Sequence, residues 1–229
     1  MLLRRSIYII TAATAWSAVL LQLYLIIGKM TSEGATVLAA VWRFFGFFTI
    51  LTNIAVALVA TAMVFRNVNA VTRLSTVSAI AFVGIVYSVA LRAMWQPTGW
   101  QAVADHMLHD ATPVLFVVVW LLSGHGTLRW RDAAWAIVAP VAYCIYALIR
   151  GAGDGWYAYW FLDPSKLDVM RLSGSIVALS VSFVILALVF IAIDKKMVPP
   201  HTSVIPAKAG GWIHIRSATV ERRRPRLVS

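Results

Sequence analysis

Six stretches of this chain contain no Asp, Glu, Lys or Arg: Ser6–Gly28, Phe44–Phe65, Leu74–Leu91, Ala111–Leu128, Ala133–Ile149 and Leu172–Ile193. A helix needs about 20 apolar residues to cross a hydrocarbon core of ~30 Å. The six windows therefore predict an all-α integral membrane bundle of six transmembrane helices over residues 1–196. The third to fifth windows are short, so those helices are expected to run a turn past their flanking charges. Composition excludes the main alternatives. The chain is 61% hydrophobic, whereas disorder needs low hydrophobicity. Only 13% of residues are charged, about half the share of a soluble domain. One cysteine cannot form a disulfide framework. The net charge of +11 hints at nucleic acid, but a domain this apolar is not expected to bind it.

The first window follows Arg4 and Arg5 as a signal peptide would, yet cleavable apolar regions are about 7–15 residues long. It is read as a retained first span. The second helix is expected to start near Ala35, placing Arg43 inside it close to an interface, where its stem can snorkel. Alternating the spans puts the N-terminus, the Arg66–Arg73 and Arg129–Asp132 loops and the C-terminal region on one side. The whole net charge of +11 falls there, and the other side sums to zero. The positive-inside rule then predicts both termini in the cytoplasm. Residues 197–229 are rich in Pro, Gly and Arg and read as a basic tail without a packed core.

Polar groups inside spans are the informative ones, because hydrocarbon gives them no partners. Thr49, Thr52 and Asn53 recur at i, i+3 and i+4 and share a helix face. They suit helix–helix hydrogen bonding or chemistry. His106 and His109 open the fourth span at i, i+3 and are expected to face one direction. Their spacing fits an interfacial pair or a general base. With Asp105 and Asp110 as the only neighbours, no metal or other cofactor is expected. Thr49 lies six residues beyond Arg43, about 9 Å of helical rise. That puts it near the depth of His109, at the outer end of the bundle. Asp110 or a backbone carbonyl is the expected orienter of the imidazole. No carboxylate is read as lying deep in a span.

Two outer loops are aromatic: Met94-Trp95-Gln96-Pro97-Thr98-Gly99-Trp100 and Gly155–Asp163. Interfacial Trp and Tyr form such belts, and they can equally cover a lipid-like ligand. Tyr143, Tyr146 and Arg150 recur on one helix face, with Arg150 placed to anchor at the interface or hold a carboxylate. Cys144 reads as packing.

Trp42-Arg43-Phe44 through Phe48-Thr49, His106-Met107-Leu108-His109 before Pro113, and Gly155-Trp156-Tyr157 through Phe161-Leu162-Asp163 occur in an order that resembles the androgen-induced-gene family of six-span membrane proteins. The stretches from Leu91 to Thr98 and Leu128 to Asp132 resemble its bacterial branch. The resemblance covers about residues 5–196. It implies a membrane-embedded threonine hydrolase of fatty acid esters of hydroxy fatty acids, with Thr49 as nucleophile and His109 as base. Thr52 is the alternative nucleophile, and Asn53, His106, Asp110 and Arg150 are supporting candidates. Membrane lipids are the expected partners. Two other classes stay open: a non-catalytic scaffold or lipid-binding bundle, and a small transporter.

Overall fold

A computed structural model describes residues 2–198 and, beyond them, the backbone of two short strands. Helix α1 spans Leu2–Ser32, α2 Val37–Phe44, α3 Phe48–Phe65 and α4 Ala70–Val86, which continues through a π-turn at Tyr87–Leu91. Helix α5, Gly99–His106, runs through a second π-turn, Met107–Ala111, into α6, Thr112–Leu121. A 3₁₀ segment, Trp130–Ile137, leads into α7, Val138–Asp154, and a 3₁₀ turn, Trp160–Leu162, precedes α8, Val169–Lys196. Six of the resulting helical spans are long and apolar enough to cross a membrane: Leu2–Ser32, Phe48–Phe65, Ala70–Leu91, Gly99–Leu121, Trp130–Asp154 and Val169–Lys196. The chain is a multi-pass, six-helix membrane protein.

Capping residues set several of the starts. Thr36 accepts the Ala39 N–H at 3.1 Å, Asn69 that of Thr72 at 2.8 Å, and Asp168 that of Arg171 at 2.8 Å. Each satisfies one of the free amides of a first helical turn. Helix α1 packs along α3; α4 meets α3, α6 and α8; and α7 leans on α8. The central core is built on small residues, with Ala12, Ala15, Ala57, Ala60 and Ala187 packed against Val56, Ile80, Phe116 and Val119. Small side chains let backbones approach closely, which is how helices associate where lipid removes the hydrophobic drive.

Two expectations fail. The second window does not form one helix from Ala35: α2 stops at Phe44, Phe47 is extended (φ −92°, ψ 129°), and α3 begins at Phe48. Gly46 sits at the break, where a Cβ would stand 2.1 Å from Arg150 Nη1 and 2.5 Å from the Trp156 ring. The carbonyls released by the break are bonded by side chains of α7: Tyr146 donates to Phe45 at 3.1 Å and Tyr143 to Gly46 at 2.8 Å. Irregular backbone at this depth is tolerated only with such partners. The fourth span is also displaced. It begins at Gly99 and ends at Leu121, so Leu122–Arg129 is loop rather than helix. Asp105 therefore lies inside the span, 4% exposed, and is not a loop carboxylate.

At one end of the bundle, His125 Nδ1 meets Asp194 at 3.0 Å, and Arg73 donates to the Gly124 carbonyl at 2.9 Å. The opposite end gathers α2, the 92–98 segment and the 155–168 loop. Within the basic tail, strands β1 (Ser203–Pro206) and β2 (Trp212–Ile215) pair antiparallel, with Ser203 opposite Ile215. The rest of the expected tail lies outside the described residues.

Candidate functional site

Thr49 stands in the first turn of α3 and His109 in the π-turn between α5 and α6, and both line one cavity. Tyr87, Tyr143, Tyr159, Phe48 and Phe183 supply much of the rest of its wall, and its volume is about 50 Å³. That is room for a few water molecules, not a lipid. Cys144 is buried and also lines this space.

The imidazole of His109 is fixed on one side. Its Nδ1 lies 3.0 Å from the Asp105 carbonyl oxygen and 3.2 Å from Asp105 Oδ1. A carbonyl only accepts, so Nδ1 carries the proton and Nε2 is left as the basic nitrogen. The ring stacks on Tyr87, with centroids 3.9 Å apart and planes at 13°. The Tyr87 hydroxyl donates to the other oxygen of Asp105. Asp105 is thus held between Tyr87 and His109. A carboxylate in that place sets the tautomer and would stabilise an imidazolium.

Sequence reasoning weighed Asp105 only as a metal ligand and named Asp110 as the orienter, because Asp105 lies outside the charge-free window. The signal was its i, i+4 spacing to His109 once the helix is extended back to Gly99. Asp110 does not orient His109. It pairs instead with Arg92, and with His106 Nδ1 at 2.8 Å. His106 and His109 do not face one way either: the His106 side chain is 64% exposed and that of His109 14%. The π-turn supplies the reason, since its wider coil rotates the residues relative to α-helical spacing.

Asn53 joins the two elements that carry Thr49 and His109. It is fully buried, and its Nδ2 donates to the Thr49 carbonyl at 2.9 Å and to the Leu108 carbonyl at 3.2 Å. In the π register the Leu108 carbonyl would receive the amide of residue 113, but that residue is proline and has none. The Asn53 amide fills the gap. Gly84 of α4 completes the packing, because a Cβ there would come within 3.2 Å of Pro113 and 3.3 Å of the His109 carbonyl.

The Tyr159 phenol reaches the start of α3 from the 155–168 loop. Burial raises its pKa above the usual tyrosine value, although the nearby Thr49 hydroxyl and the Thr49 and Phe48 amides oppose that rise. The phenol stays protonated near neutral pH, beside two amides at the start of α3 that lack helical acceptors.

Thr52 is separated from this group. It is buried, its Oγ1 has no hydrogen-bond partner among the described residues, and it lines a second cavity of about 360 Å³ between α3, α4 and α7. Phe48 and Tyr143 border both spaces, with their rings edge to face at 5.0 Å. Arg150 lies further along α7, 5% exposed, against Gly46 and the rings of Trp42 and Trp156.

No protein-family model matches the chain, and neither a curated protein nor a solved structure matches it.

Proposed function

We propose that this protein hydrolyses lipid esters within the membrane, as the resemblance to the androgen-induced-gene family implies. The observation that supports this most is the Asp105–His109 pair, which leaves Nε2 as the basic nitrogen on the wall of the cavity that Thr49 also lines. A hydroxyl is a poor nucleophile at its free pKa and needs an adjacent base.

In this reading His109 Nε2 takes the Thr49 proton as Oγ1 attacks the acyl carbonyl. The tetrahedral intermediate collapses, its leaving oxygen accepts that proton from His109, and an acyl ester remains on Thr49. Water then attacks the ester with His109 again as base, releasing the fatty acid and restoring the Thr49 hydroxyl. The Phe48 and Thr49 amides and the Tyr159 phenol, which meet at the start of α3, supply the oxyanion donors in this reading. The 155–163 segment must swing aside to admit substrate, and the larger apolar cavity behind Phe48 and Tyr143 is of a size to take an acyl chain. The distribution of basic residues puts this end away from the cytoplasm.

A non-catalytic lipid-binding or scaffold bundle is the second reading, favoured by the small volume around Thr49. The two are separated by reconstituting the protein in nanodiscs with a fatty acid ester of a hydroxy fatty acid and measuring fatty acid release. Hydrolysis by wild type and Thr52→Ala, and none by Thr49→Ala or His109→Ala, is expected. Absence of release by wild type, or equal release by Thr49→Ala, favours the scaffold.

A further inference from the structure

The outer end of α7 carries a charge that the proposed hydrolysis does not use. Arg150 is 5% exposed, and none of its three guanidinium nitrogens has a hydrogen-bond partner among the described residues. Its ion-pair partner, Asp154, stands 3.6 Å from Nε, beyond hydrogen-bond reach. That carboxylate is already engaged, accepting the Trp42 indole N–H at 2.6 Å and the Trp156 amide at 2.9 Å. Arg43 adds a second cation. Its guanidinium lies 4.0 Å over the Trp156 ring, and it makes no ion pair among the described residues. The Arg150 guanidinium sits 4.4 Å from the Trp42 ring centre and 5.3 Å from that of Trp156. Two guanidiniums thus lie among indole rings, and only that of Arg150 pairs with a carboxylate among the described residues.

Aromatic faces attract a cation but give none of the in-plane acceptors that five guanidinium N–H groups require. A buried donor left without an acceptor is destabilising. We propose that this cluster is a binding site for an oxyanion, a carboxylate or phosphate, taken by Arg150 with Arg43 as the second cation. Arginine forms paired, planar hydrogen bonds to both groups. The site stands on this cluster and does not depend on turnover at Thr49.

The test uses detergent-purified full-length Thr49→Ala protein, so hydrolysis cannot intervene. Thermal unfolding is followed on titration with oleate, phosphatidylglycerol, oleyl alcohol, phosphatidylcholine or inorganic phosphate. Oleate or phosphatidylglycerol is expected to raise the unfolding temperature, and the two uncharged or zwitterionic lipids are not. A rise with inorganic phosphate alone identifies a free anion as the ligand rather than a lipid headgroup, and equally supports the site. Arg150→Met is expected to stay folded without ligand, because it removes guanidinium nitrogens that have no acceptor and Asp154 keeps its Trp42 and Trp156 donors. It should bind the anion at least about tenfold more weakly. Arg43→Gln, at a half-buried position, tests the same loss if Arg150→Met does not fold. No response to any anion, or an undiminished response in the folded variants, overturns the proposal.

Discussion

Asp105 decides what His109 can do. With the Nδ1 proton directed at Asp105, the imidazole is held as a base at Nε2; with that partner changed, the ring can adopt the other tautomer. Asp105→Asn keeps the size of the side chain and the Asp105 carbonyl contact, so the fold should persist while hydrolysis drops by about 10²–10⁴-fold. Fatty acid release measured beside thermal unfolding separates the two effects. Asn53 has the opposite character. It bonds carbonyls on two elements, and Asn53→Ala leaves the Leu108 carbonyl unsatisfied in the buried core. The expected loss is about 1–3 kcal/mol of stability, measured by denaturant unfolding in detergent. The sequence puts Thr49, Thr52 and Asn53 on one face, whereas Thr49 lines the smaller cavity and Thr52 the larger one; i, i+3 and i, i+4 spacings serve chemistry and helix contact alike and could not assign their tasks.

The element that matters most is the π-turn at Met107–Ala111. Charge-free windows located all six spans, since the cost of a charge in hydrocarbon is high enough to mark them. The same signal misplaced the fourth span, because it treats every charged residue as a boundary. Asp105, Asp110 and the two histidines are inside that helix, satisfied by each other, by Tyr87 and by Arg92. The break at Phe45–Phe47 was hidden for a related reason: Phe44-Phe45-Gly46-Phe47-Phe48 is apolar throughout, and only the hydroxyls of Tyr143 and Tyr146, about 100 residues away in sequence, make a non-helical turn tolerable there. Pro113 is the local cause that sequence does offer. Pro113→Ala supplies an amide that allows ordinary α-helical bonding through His109. The unfolding temperature should hold or rise, while fatty acid release falls as His109 is rotated away from the cavity.

Across the whole molecule, the ends of the bundle differ in kind. One end collects His125, Asp194 and Arg73, and the other collects Thr49, His109, the Arg150 cluster and the aromatic loops. From the charge distribution along the sequence, the His125–Asp194 end is predicted to face the cytoplasm. A periplasmic reporter fused after Gly99 should be active and one fused after Val68 silent, with the opposite pattern excluding this orientation. The most direct measurement of the proposed chemistry is the position at which a fluorophosphonate attaches. Digestion and mass spectrometry of the labelled wild-type protein should find the adduct on Thr49, and His109→Ala should abolish it while the protein stays folded. An unlabelled wild-type protein, or an adduct that survives in Thr49→Ala, would rule out Thr49 as the nucleophile.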